Sequence, residues 1–173
     1  MQKIAVGELE KRIGQTRQQL LTAVAALPEE VLLKERTIRD WSVRDLLAYL
    51  SVWYDVALVG IREIQRRKKP GRLLRMIEGG RKFEVQALHE TRKLELEDLL
   101  ETLDNLHIQI ETQLEQLSAQ DLNELKRHRW MGNKQLWPFL AQITYEHEKP
   151  YVAMVEALVR FTEAAADSAE TDA

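Results

Sequence analysis

Three kinds of residue are scarce or absent in this chain, and each shortage narrows the fold or the function. None of its 173 residues is cysteine, which excludes disulfide bonds, thiolate nucleophiles and thiolate metal ligands. Seven glycines and four prolines leave long uninterrupted stretches, without a glycine-rich phosphate loop or an HExxH or GxSxG motif. No apolar run approaches the roughly 20 residues of a membrane span. Because the net charge is also -3, we expect a cytoplasmic protein that binds neither a membrane nor nucleic acid.

The apolar residues of the chain recur with the period of an α-helix. Apolar residues make up 45% of the chain and charged residues 31%, the balance of a globular domain. One apolar stripe runs over residues 6–27. A second follows Ser42, whose hydroxyl group predicts a capping box with the Asp45 carboxylate, and it continues over residues 43–64. The basic stretch at residues 66–72 is explained by the end of that helix, where cations meet unpaired carbonyl groups.

Two more stripes lie in the second half of the chain. After a predicted loop at residues 71–80, the stripe over residues 82–117 is compatible with one long helix or with two. A Gly-Asn pair near the centre of residues 129–137 predicts either a short hairpin or an irregular turn. The last stripe, over residues 136–158, predicts a single helix.

The four stripes predict an all-α fold, an antiparallel four-helix bundle with short connections. We expect one helical-bundle domain over residues 1–165 and an acidic, frayed tail over residues 166–173. The leucine-rich third stripe and the four tryptophans favour helix–helix association, so a homodimer is one expected assembly.

Four ring side chains on two of these helices are candidates for an internal site. His147 and Tyr151 are four residues apart on the last helix, and Tyr49 and Trp53 are four apart on the second. Residues four apart share a helix face, so both pairs are expected to point into the bundle. They either form a pocket or pack in the core with their polar atoms bonded to backbone or water. Pro150 either loosens the helix beside His147 or marks a helix boundary.

Two short stretches resemble motifs of the DinB/YfiT-like superfamily, which includes mycothiol-dependent maleylpyruvate isomerases. WSVRDLLAYLSVW, at residues 41–53, is similar to its second-helix signature, and TYEHEKPY, at residues 144–151, to its final-helix motif. The resemblance implies a divalent metal held by three histidines at the positions of Tyr49, His147 and Tyr151. Two of these three are tyrosine here, and a neutral tyrosine is a poor ligand for nickel or zinc. We therefore expect no metal site, and His147 as the sole ligand of this set if a metal binds.

The ClbS/DfsB family of four-helix bundle proteins is similar in more detail. It includes a self-resistance protein against the genotoxin colibactin, and it has tyrosine in a second-helix motif and Ser-Pro-Tyr near the last helix. Residues 49–53 (YLSVW) and 149–151 (KPY) resemble these motifs, with lysine in place of serine. A tryptophan in that family precedes the final tyrosine by the interval that separates Trp137 from Tyr151 here. This resemblance implies that Tyr49 belongs to a pocket that works without a metal, and that it does not replace a lost metal ligand.

The same resemblance implies roles for the residues of that pocket. Tyr49 would be a hydrogen-bond donor or general acid, and His147 an acid, a base or an orienting group. The substrate would bind against walls formed by Trp53, Trp137 and Tyr151. Such chemistry is plausible because histidine titrates near neutral pH and buried neighbours can tune it.

Three functions remain open at this point. The first is a ClbS/DfsB-like protein whose internal pocket binds or hydrolyses a small electrophilic metabolite without a metal or other cofactor. The second is a DinB-like, nickel- or zinc-dependent thiol transferase with a degenerate ligand set, which requires Glu146 or Glu148 to turn inward or a second chain to contribute. The third is a non-catalytic helical-bundle interaction protein. An enzyme of either of the first two kinds would be a hydrolase or transferase that acts on a small molecule.

Overall fold

The computed structural model describes residues 3–91 and 94–171, and within these ranges every regular element is a helix. The all-α fold is therefore confirmed. An isolated bridge between Ile38 and Trp41 is the only β pairing in the described part of the chain. In chain order the helices are α1 (Val6–Ala25), α2 (Glu29–Leu33), α3 (Val43–Gln65), α4 (Gly71–Gly79), α5 (Arg81–Thr91), α6 (Leu96–Leu114), α7 (Ala119–Asn123), a 3-10 helix (Arg129–Met131), α8 (Trp137–Ile143) and α9 (Tyr145–Thr171).

The four longest helices, α1, α3, α6 and α9, form a helical bundle around one apolar core. Helix α3 packs along α6 and α1 packs along α9, while α4 and α5 lie against α3 and α8 lies against α9. The core consists mostly of leucine, isoleucine and valine from these stripes. The antiparallel four-helix arrangement in its exact form stays a prediction. None of the described helices is long and apolar enough to cross a membrane.

The predicted capping box fixes the start of α3. The Asp45 backbone N–H donates to the Ser42 hydroxyl over 3.0 Å, and the Ser42 N–H donates to the Asp45 carboxylate over 3.1 Å. A second box joins Ser118 and Asp121 at the start of α7 in the same way. Each box satisfies backbone donors that the first turn of a helix leaves free. The start of α3 in turn sets the face on which Tyr49 lies.

The prediction of a loop at residues 71–80 is wrong, because this segment contains α4. Gly71 begins the helix and Gly79 ends it, so the glycines that suggested a loop lie at its two ends. Between them Leu73 and Met76 are three residues apart and buried against the core. Leu73 packs on Gly60 of α3 so closely that a Cβ added to Gly60 would lie 2.5 Å from Leu73 Cδ2. Tertiary packing therefore outweighs the low helix propensity of glycine here.

The prediction of a single last helix is also wrong, because the helical conformation is interrupted at Thr144. Its backbone angles, φ -117° and ψ -110°, lie outside the helical region, and α8 and α9 meet there. The Thr144 hydroxyl donates to the carbonyl of Leu140 over 2.7 Å, so this buried hydroxyl group has a hydrogen-bond partner. Pro150 lies within α9, so it does not mark a helix boundary. Before α8, the 3-10 helix and Gly132, with φ 63°, form an irregular turn, and the hairpin alternative is not observed.

The remaining boundary predictions have different outcomes. The stripe over residues 82–117 forms two helices, α5 and α6. Helix α9 continues to Thr171, into the segment predicted to fray, and the division of the chain at residue 165 stays a prediction. The ends of both predicted segments, residues 1–2 and 172–173, lie outside the described residues.

The contact between Gly60 and Leu73 leaves no room for a side chain at position 60. Gly60→Ala should lower the free energy of unfolding by about 1–3 kcal/mol, because the new methyl group overlaps Leu73 and α4 must shift. Gly14→Ala in α1 is the matched control. The nearest atom to its Cβ would be Glu111 Oε1 at 3.6 Å, so it should stabilise the helix by up to about 1 kcal/mol.

Urea unfolding followed by circular dichroism measures both changes. Leu73→Ala should reduce the extra cost of Gly60→Ala when the two substitutions are combined, since it removes the overlapping atoms. Equal effects of Gly60→Ala and Gly14→Ala would contradict the proposed close contact between α3 and α4.

Candidate functional site

A tyrosine from α3 and a histidine from α9 form the polar centre of the candidate site. The Tyr49 hydroxyl lies 3.1 Å from His147 Nε2, a hydrogen bond whose direction depends on the histidine tautomer. Tyr49 is 2% exposed and His147 is half-buried. Seven residues separate Tyr49 from the Ser42 cap, about two helical turns, so the cap and the core-facing stripe together aim its ring at α9.

Trp53, one turn after Tyr49, stacks on the face of the His147 imidazole ring. The Trp53 and His147 rings are stacked, with centroids 3.6 Å apart and planes at 5°. The Trp53 indole N–H donates to the carbonyl of Ile143 over 2.9 Å. That carbonyl is at the last residue of α8, and the break at Thr144 leaves it available for this bond. The same break therefore anchors Trp53 and positions His147.

Tyr151 connects this pair to a cleft. Its ring lies edge-on to both partners, with centroids 5.9 Å from Tyr49 and 5.6 Å from His147. Unlike Tyr49 it is half-buried, because its other side lines a cleft of about 310 Å³. The other residues that line this cleft are Ile38, Arg39, Asp40, Trp41, Glu84 and Met154. Trp41 also contacts Tyr49, at a centroid distance of 5.3 Å, so the cleft and the Tyr49–His147 pair share two walls, Trp41 and Tyr151.

All three polar groups of the cluster are neutral at neutral pH. Burial lowers the pKa of His147 to about 4. Burial raises the pKa of Tyr49 well above its usual value, and the neighbouring Tyr151 hydroxyl raises it further. Burial also raises the pKa of Tyr151. The cluster is thus a chain of neutral groups, in which an unprotonated imidazole can accept a proton and phenols can donate hydrogen bonds.

Four of the five ring residues singled out in the sequence lie together in this cluster, and Trp137 is placed differently. Trp137 begins α8, and its indole N–H donates to the Gln135 side chain over 3.2 Å. It is six residues from Ile143, roughly 9 Å along the helix axis. The role of Trp137 as a wall of the site therefore stays a prediction, while Trp41 and Phe83 contact Tyr49 without having been singled out.

A second buried polar cluster escaped the sequence analysis. It takes one side chain from each of α1, α3, α6 and α9, namely Arg17, Tyr54, His107 and Glu148. Tyr54 donates to Glu148 over 2.9 Å and its ring lies edge-on to His107, with centroids 6.1 Å apart. Burial raises the pKa of Glu148, and the Arg17 charge opposes that rise. Tyr54 directly follows Trp53 and Glu148 directly follows His147 in the sequence, but spacing along one helix does not show that the four side chains meet.

The two glutamates beside His147 face in different directions. Glu148 is 1% exposed and turns inward, but it accepts the hydrogen bond from Tyr54. Glu146 is exposed and pairs with Lys149 over 2.7 Å. Among the side chains described by the structure, no group of three or more from histidine, aspartate and glutamate is arranged to hold a metal ion.

Comparison with known proteins supplies the family. No curated protein and no solved structure matches the chain. The sequence pattern of the DinB superfamily matches residues 12–149, which extends from α1 to the fifth residue of α9 and includes Tyr49, Trp53 and His147. This match covers most of the chain and agrees with the helical bundle. The chain is a member of the DinB superfamily.

Proposed function

We propose that this protein binds a small electrophilic metabolite in the cleft at Tyr151 and hydrolyses it without a metal or other cofactor. The observation that carries the proposal is the 3.1 Å contact between Tyr49 and His147 directly behind Tyr151. A neutral imidazole bonded to a phenol, with a second phenol at an open cleft, provides a base and a hydrogen-bond donor for one ligand.

The chain of polar groups suggests how protons would move during hydrolysis. Tyr151 donates a hydrogen bond, and then its proton, to the oxygen of the electrophile as the carbon–oxygen bond breaks. Water forms the new bond to carbon, and its proton passes through the Tyr49 hydroxyl to His147 Nε2. The imidazolium ion then returns a proton to Tyr151 through Tyr49. Its low pKa makes this return favourable, so all three groups end the cycle neutral.

The donor set supports a reaction without a metal. One imidazole and two neutral phenols do not fit a nickel or zinc ion, and Nε2 is already bonded to Tyr49. The neighbouring glutamates are engaged with Tyr54 and Lys149. The thiol-transferase alternative would need ligands that these residues do not supply.

The likeness of residues 49–53 and 149–151 to the ClbS/DfsB family supports the same proposal, since that family's motifs have tyrosine at both positions. We propose a ClbS/DfsB-like protein rather than a metal-dependent member of the superfamily. A cytoplasmic location, a small-molecule ligand and a homodimer belong to this proposal. The alternative of a non-catalytic interaction protein predicts that no small electrophile is bound or consumed.

Styrene oxide is a suitable first probe, because it is a small electrophile whose hydrolysis to the diol is measured by chromatography. Tyr49→Phe and His147→Gln should each lower the rate of diol formation by about 10²–10⁴-fold, the usual contribution of a positioned proton-transfer group. The wild-type rate should fall only below about pH 5, because the pKa of His147 is about 4. A free histidine would lose its base form near pH 6.5.

Tyr145→Phe is the matched control for Tyr49→Phe. Tyr145 is also a buried tyrosine, 2% exposed, but its hydroxyl accepts from Arg12 over 3.4 Å and lies outside the cluster. Its removal should leave the rate unchanged. A Tyr49→Phe protein as active as the wild type would overturn the proposed relay, and a wild type that neither binds nor hydrolyses the probe would favour the interaction protein.

Metal content tests the cofactor proposal separately. Protein purified without chelator, challenged with nickel, zinc and manganese and then desalted should retain no stoichiometric metal by mass spectrometry. The Tyr49→His, Tyr151→His double variant should retain about one ion per chain, because three imidazoles then converge on one point. Stoichiometric metal in the wild type that is lost in His147→Ala would contradict the metal-free proposal and revive the transferase.

A further inference from the structure

A second cleft lies outside the site described above. It has a volume of about 670 Å³, and its lining comes from the α3–α4 junction, α4, the 3-10 helix, the turn after it and α8. It shares no lining residue with the cleft at Tyr151. Its volume is within the range of small-molecule sites, about 300–1,000 Å³.

One part of this cleft is aromatic. Trp130 of the 3-10 helix and Phe139 of α8 meet edge to face, with ring centroids 5.2 Å apart and planes at 76°. Leu74 of α4 and Met131 extend the apolar lining. An apolar wall that contains two aromatic rings suits a flat ring system.

The other part of the cleft is cationic. Lys69 and Lys134 both line it, and no carboxylate does. Among the side chains that the structure describes, no carboxylate oxygen lies within 4.0 Å of either ammonium group. Lys69 also belongs to the basic stretch at residues 66–72. In a chain with net charge -3, this concentration of uncompensated positive charge is local and favours an anion.

We propose that this cleft binds a small aromatic anion, a ring system that bears a carboxylate, sulfonate or phosphate group. The ring packs on Trp130 and Phe139, and the anionic group lies between Lys69 and Lys134. A long polyanion such as nucleic acid does not fit this site, because only two lysines line it and the whole chain is acidic. The proposal is independent of the function proposed for Tyr49 and His147.

Two fluorescent dyes that differ in one charge test the proposal. 1-Anilinonaphthalene-8-sulfonate carries the aromatic body and an anionic group, whereas N-phenyl-1-naphthylamine has the same body without the sulfonate. We expect one sulfonate dye per chain, with an affinity that falls as salt is raised. The double variant Lys69→Gln, Lys134→Gln should weaken the affinity for the sulfonate dye about tenfold or more and change the affinity for the neutral dye by no more than about twofold.

The control replaces two lysines elsewhere on the surface, Lys11→Gln with Lys34→Gln, which should change neither affinity. All four lysines are exposed, so the variants should fold, and circular dichroism with thermal unfolding verifies this. Tyr49→Phe should also leave dye binding unchanged, which separates this cleft from the site at Tyr151. Unchanged sulfonate affinity in the cleft variant, an equal loss in the control variant, or binding at many weak sites would each overturn the proposal.

Discussion

The hydrogen bond between the Tyr49 hydroxyl and His147 Nε2 is the contact on which the rest of the site depends. It joins α3 to α9, and Trp53 stacks on the same imidazole. The hydrogen bond and the stacking together fix the position and the orientation of the histidine ring. The Ser42 cap sets the start of α3, and the break at Thr144 leaves a carbonyl for the Trp53 indole. Two local backbone features far apart in sequence thus determine one contact in the core.

Burial of this pair explains both its stability and its chemistry. A buried polar atom without a partner costs about 1–3 kcal/mol, so each group of the pair satisfies the other. The same burial keeps the imidazole unprotonated at neutral pH and the phenols protonated. Tyr54 and Glu148 form a second bridge between α3 and α9, next in sequence to Trp53 and His147. The two bridges together restrain how α9 can rotate or slide against α3.

Much of the fold and part of the site follow from the sequence, because both depend on helical spacing. The all-α fold and the shared faces of Tyr49 with Trp53 and of His147 with Tyr151 need only the period of 3.6 residues. The cap at the start of α3 follows from the residue types of a capping box. Trp137 was expected in the same cluster because of the resemblance to the ClbS/DfsB family, and its role there stays a prediction. The break at Thr144 removes the periodic relation between α8 and α9, so spacing along one helix does not relate Trp137 to Tyr151. Helix α4 was missed because it depends on a tertiary contact between Gly60 and Leu73. The cluster of Arg17, Tyr54, His107 and Glu148 likewise joins polar residues of four helices, which no pattern within one helix can reveal.

The most direct measurement is the titration of His147 by nitrogen-15 NMR of the imidazole ring, with the signal assigned through His147→Gln. The account predicts that His147 stays neutral at pH 7, with a pKa near 4 and with Nε2 as the unprotonated nitrogen that accepts from Tyr49. Its signals should not change when zinc or nickel is added. A pKa near 6.5, the ordinary value, would contradict the burial of the pair. Direct coordination of the added metal by His147 would contradict the metal-free site.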